Sequence, residues 1–132
     1  MQHTDGVQHT NPAGLPRPNG YSHVVEVTGR LLYISGQVPL TADGTLAGTD
    51  IESQTRQVFR NIDTALASAG ASMRQVAKLT YFITDTADVP AIRKVRDEFI
   101  DTAAPPASSL VQVVALVDPH FLVEIEAIAE LP

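Results

Sequence analysis

Two helical segments against five strand-like runs leave one face of any shared sheet uncovered, and that imbalance constrains this 132-residue chain more than any other feature. One helix is written in Ile51, Val58, Phe59, Ile62, Ala65, Leu66 and Ala69, which fall on a single face at helical spacing. Asp50 stands before it as an N-cap and Gly70 after it as a C-terminal stop. The second helix opens near Asp88, with Pro90 in a first turn that needs no N–H from it. Its buried stripe is Ile92, Val95 and Phe99, and residues 101–106 break it. Strands are expected at residues 23–27, 31–35, 76–84, 109–116 and 122–129, with a short strand or loop ending near Leu46. Gly29-Arg30 reads as a hairpin turn between the first two, and Asp118-Pro119 separates the last two. Two helices packed together on one face of such a sheet give an α+β architecture.

The other face also needs a cover. Along residues 109–116 one side carries Val111, Val113 and Ala115, and the other carries Leu110, Val114 and Leu116 around Gln112. A half-solvated sheet alternates apolar and polar more cleanly. The simplest cover is a second copy of the same chain. Residues 1–20, interrupted by Pro12, Pro16 and Pro18, read as an irregular lead-in to a single domain spanning 21–132.

Composition removes several function classes. There is no cysteine, hence no disulfide and no thiolate-bound zinc. The net charge is −6 and the nine Lys and Arg residues are scattered, so no basic patch is available to displace counterions from nucleic acid. His3 and His9 lie in the polar lead-in, where solvation is expected, and the four histidines show no metal-ligand spacing; no metal is expected. No apolar stretch reaches the ~18 residues of a membrane span or looks like a signal peptide, so a cytoplasmic protein without nucleic-acid or membrane partners is the default expectation.

Candidate chemistry concentrates in a few places. Glu124 and Glu126 are two apart on one strand and share a face, opposite the apolar Val123, Ile125 and Ala127. They are either a solvated edge or, if one lies in a cleft, a carboxylate raised in pKa and suited to proton transfer. Ser35-Gly36-Gln37 offers a hydroxyl beside unobstructed backbone, Tyr21 follows a turn-forming Asn19-Gly20, and Ser108-Ser109 begins a strand after Pro105-Pro106. No phosphate loop and no nucleophile elbow is present. These residues alone name no reaction.

Asn11-Pro12-Ala13 with Gly20-Tyr21, then Tyr33-Ile34-Ser35-Gly36-Gln37-Val38-Pro39, resembles the opening of the Rid (RidA/YjgF-like) proteins. Gln54-Thr55-Arg56-Gln57-Val58-Phe59-Arg60-Asn61-Ile62 is similar to that family's first helix, and Val76-Ala77-Lys78-Leu79-Thr80-Tyr81-Phe82 to its central strand. Pro105-Pro106-Ala107-Ser108-Ser109-Leu110-Val111 and Val123-Glu124-Ile125-Glu126-Ala127-Ile128-Ala129 are the most specific blocks. The resemblance implies a chorismate-mutase-like fold, a mixed sheet with two helices on one face, in a homotrimer whose sheets form a central barrel. It implies three equivalent small-molecule clefts between subunits and, in members with the complete site, hydrolysis of reactive enamines and imines such as 2-aminoacrylate to 2-keto acids and ammonia, without a cofactor.

Carried over residue by residue, Tyr21 walls the pocket, Ser35 hydrogen-bonds near the substrate, the backbone of Leu110 contacts it and Glu124 holds the water or shuttles the proton. The departure is at Ser108, where the complete family site has an arginine that grips the substrate carboxylate bidentately. A serine brings neither the charge nor the reach. Three functions fit this divergent site: an enamine or imine deaminase whose substrate is not a simple 2-imino acid, a hydrolase or tautomerase of another small metabolite, and a trimeric binding protein without turnover. Arg17, between Pro16 and Pro18, is a candidate replacement for the missing cation.

Overall fold

The computed structural model describes residues 2–4 and 6–131. Its strands are β1 (Gln2–Thr4), β2 (Val7–Thr10), β3 (Val24–Val27), β4 (Leu31–Gln37), β5 (Val76–Ile83), β6 (Ala107–Gln112) and β7 (Val123–Glu130). The helices among the described residues are α1 (Ile51–Ser68) and α2 (Val89–Arg96), with short 3-10 turns leading into β5 and α2.

Local chemistry sets the helix limits. The Asp50 carboxylate accepts the Ser53 N–H at 2.9 Å, which satisfies one of the orphan donors of α1. The chain leaves α1 at Ala69 and turns away at Gly70, whose φ of +75° is open to glycine. Pro90 lies in the first turn of α2, as its missing N–H allows. That helix stops at Arg96, so Phe99 belongs to the turns beyond it instead of extending the helical stripe.

A four-stranded mixed sheet orders its strands β4-β7-β5-β6, with β5 and β6 parallel and the other pairs antiparallel. Leu79, Tyr81 and Ile83 of β5 and Val123, Ile125, Ala127 and Ala129 of β7 share one buried face. Val58, Phe59, Ile62 and Leu66 of α1, with Ile92 and Val95 of α2, pack into the same core. Both helices thus lie on one face, as their count required. The opposite face has no helix and leaves Tyr33 of β4 72% exposed.

Three expectations are corrected. Residues 7–10, expected to be irregular, form β2, which pairs along its length with β3. The turn at Gly29-Arg30 joins no hairpin: β3 is already paired with β2, whereas Leu31 of β4 pairs with Glu130 of β7. Gly29, at φ +95°, passes the chain from one sheet to the other. His9 is buried instead of solvated, and its Nδ1 donates to the Pro105 carbonyl at 2.9 Å. The side chain of His3 lies outside the described residues.

Candidate functional site

One group of predicted residues gathers where β4 meets β7. The register slips between Ile34 and Gln37, a bulge that bends the strand at Ser35-Gly36. Gly36 runs so close to Glu124 that a Cβ there would overlap the carboxylate and push it aside. The Glu124 carboxylate is half-buried and has no hydrogen-bond or ion-pair partner among the described residues. Ser35 is exposed beside it, and Gln37 Nε2 donates to the Ser35 carbonyl at 3.0 Å. Glu126, on the same strand face, is more exposed and lines a shallow depression of about 370 Å³ with Tyr33, Ser35, Lys78 and Thr80.

Gln54 holds the start of β7 in place. Its side chain is fully buried and donates to Gly48 O at 3.0 Å and His120 O at 2.9 Å. Its Oε1 accepts the Leu122 N–H at 2.8 Å, two residues before Glu124. The α1 helix is thereby tied to the segment that delivers the carboxylate.

A second group lies at the free edge of β6. Tyr21, Ser108 and Leu110 surround a cavity of about 150 Å³, together with Tyr81 of β5 and Arg93 and Arg96 of α2. The Tyr21 segment is fastened there by Ser22, whose N–H donates to Pro106 O at 2.9 Å and whose hydroxyl donates to Pro105 O. The Arg96 guanidinium lies against Gly20, where a Cβ would overlap it and where φ is +75°. Its Nε donates to Asp97 Oδ1 at 2.9 Å. Tyr81 is 3% exposed and its hydroxyl has no partner among the described residues. Burial pushes that phenol well above its usual range, Arg96 nearby pulling weakly the other way.

The fold does not bring the two groups together within one chain. Ser108 pairs with Leu79 and Glu124 with Phe82, three residues further along β5. Side chains three apart on a strand point to opposite faces. Ser108 therefore faces the helix side, and Glu124 faces the open side. Arg17 is exposed and does not line the cavity that holds Ser108.

The sequence reading passed over Arg96 and Tyr81, though both carry a signal. Arg96 is four residues after Ile92, on the apolar stripe of α2, and Tyr81 takes an inward place between Leu79 and Ile83. A groove of about 660 Å³ between α1 and the loop after β4 takes in Gly36 and Gln37 but none of Tyr21, Ser35, Ser108, Leu110 or Glu124. Among the described residues no three His, Asp or Glu side chains stand together as a metal site, and no helix is long and apolar enough to cross a membrane.

A family model described as Endoribonuclease L-PSP matches residues 14–131. The crystal structure of YyfB from Yersinia pestis, of the conserved Rid protein family, superposes with a TM-score of 0.89 at 38% identity, covering 96% of this chain and 99% of that one. The 3-aminoacrylate deaminase RutC of Acinetobacter baylyi is 34% identical over 121 residues, 91% of this chain and 94% of the relative. The Escherichia coli protein TdcF, solved with bound serine, is 32% identical with a TM-score of 0.71, over 86% of this chain and 90% of that one.

Proposed function

The chain belongs to the Rid (RidA/YjgF) family, and from that premise we propose that it hydrolyses small reactive enamines or imines in clefts shared between the subunits of a homotrimer. The observation that carries this reading is the Glu124 carboxylate, half-buried, seated on Gly36 and without a partner among the described residues. A carboxylate so placed is free to hold a water and to take its proton. The water oxygen bonds to the carbon of the protonated C=N group, giving a carbinolamine. Glu124 returns the proton to nitrogen, and the C–N bond breaks as the hydroxyl oxygen forms the C=O bond. That oxygen passes its own proton to Glu124 and on to the departing ammonia, and a carbonyl compound and ammonium leave. No electrons are exchanged, and the residues supply position and proton transfer.

The trimer supplies what a single chain lacks. A neighbouring copy would cover the open sheet face, where Leu31, Tyr33 and Val111 are exposed, and the loop beyond β6, where Val114 and Val117 are almost entirely exposed. It would also bring Tyr21 and Ser108 of one copy to Glu124 of another. With Ser108 in place of the arginine, the substrate differs from a simple 2-imino acid, because no fork on β6 meets a carboxylate attached to the reacting carbon.

The test is ammonia release from imines generated in situ from a panel of amines and amino acids. Turnover faster than the spontaneous reaction, lost in Glu124→Gln, supports the reading. A protein that binds such compounds but never accelerates ammonia release contradicts it.

A further inference from the structure

The cavity at the edge of β6 contains more than a structural account of its residues requires. Cations in the last turn of α2 are favoured by the helix dipole, which accounts for Lys94, exposed and paired with Glu52, and for Arg93, exposed at the rim of the cavity. It does not account for Arg96, which is 8% exposed and turned inward toward Ser108. Asp97 engages only its Nε, and neither Nη group has a partner among the described residues. On the same cavity the Tyr81 hydroxyl is buried without a partner among the described residues, a state that proteins seldom leave unexplained. Arg96 and Tyr81 both line one cavity, and each keeps a donor that no acceptor among the described residues takes up. Gly20 runs so close to the guanidinium that a Cβ there would overlap it.

We infer that Arg96, with the Tyr81 hydroxyl beside it, anchors the carboxylate of a small carbonyl or imine compound in this cavity, replacing from α2 the charge that Ser108 does not supply from β6. This rests on the proposed shared cleft and deepens it by naming the substrate class. The anchor comes from the helix side of the cavity, across from the strand. An acid group held there lies farther from the reacting carbon than one gripped at position 108. The preferred ligand is therefore one with its carboxylate separated from the C=N or C=O carbon by intervening atoms. A volume of about 150 Å³ has room for roughly five water-sized groups, enough for the carboxylate end of such an acid, with its carbonyl end reaching out toward the shared cleft.

The experiment titrates the full-length protein with 4-oxopentanoate, pyruvate and the uncharged pentan-2-one, read by calorimetry and by the guanidinium resonances of the arginines. Wild type should bind 4-oxopentanoate roughly ten- to a hundredfold more tightly than pentan-2-one, the worth of a charge-assisted hydrogen bond. It should also prefer it to pyruvate, and the Arg96 resonance should shift. Arg96→Met should erase the preference, Tyr81→Phe should weaken it, and Arg30→Gln, at an exposed arginine, should leave it intact. The wild-type resonances keep the test valid if Arg96→Met does not fold. Equal affinity for acid and ketone, or a carboxylate that shifts other arginines and leaves Arg96 silent, overturns the inference. Ammonia release with an Arg96-independent affinity sinks the anchor and spares the deaminase. Arg96-dependent binding without ammonia release from any imine does the reverse.

Discussion

Ser108 and Glu124 face opposite sides of one four-stranded sheet, set apart by the register in which β6 and β7 flank β5. No side-chain rotation joins them in a single cavity of one chain. If both serve one ligand, as the family resemblance implies, each ligand meets two copies. Sedimentation at micromolar concentration should then show only a species of three subunit masses. The interfaces should bury more than roughly 2,000 Å² in total, the range of obligate assemblies. A stable monomer at that concentration contradicts the shared cleft.

Glu124→Gln keeps the shape of the side chain and removes its proton-accepting charge. Turnover of an identified imine should fall about 10²- to 10⁴-fold, with the assembly unchanged by sedimentation. Gly36→Ala should act on the same group from beneath, since its methyl group would displace the carboxylate. Wild-type rates in both variants would remove Glu124 from the mechanism.

Gln54 is a structural counterpart to that prediction. Gln54→Leu conserves bulk but strands the Leu122 N–H and the Gly48 and His120 carbonyls away from their partner. Each group left buried and unpaired costs about 1–3 kcal/mol, and urea midpoints should fall accordingly. An unchanged midpoint would mean that water reaches these groups freely.

Tyr81 yields a pH prediction with a definite sign. Its phenol is raised above the ordinary value of 10.0 by burial, so in the folded state it stays neutral where the unfolded chain has ionised. The folded state then binds more protons, and stability declines as pH rises past the unfolded value. Tyr81→Phe should flatten that alkaline decline, measured as urea midpoints at about pH 9 and about pH 11. At neutral pH the variant should be as stable as wild type or more so, because the deleted hydroxyl has no partner among the described residues to lose.

The helices and the central strands were legible because their signals are local. Asp50, Gly70 and Pro90 mark helix limits by their own side chains, and β5 and β7 alternate burial with the period of a strand. The lead-in was not legible, since β2 is held by pairing with β3, and proline content says nothing about distant partners. The Gly29-Arg30 turn has the composition of a hairpin, but strand pairing is decided by the neighbours available, and β4 found β7. Of the site, the motif residues were visible through resemblance. Arg96 escaped notice because a charged residue on an apolar stripe acquires meaning only beside Ser108, Tyr81 and Gly20 in space.

The most direct measurement mixes two defective proteins. Glu124→Gln lacks the proton acceptor, and Ser108→Trp fills the cavity at the edge of β6. Each alone should be inactive on an imine that wild type hydrolyses. Refolded together in equal amounts, they form sites that draw Glu124 from one copy and Ser108 from another. About a quarter of those sites then have both halves intact, and about a quarter of wild-type ammonia release should return. Each site confined to a single chain would leave the mixture as inactive as its components, and that result would contradict the account.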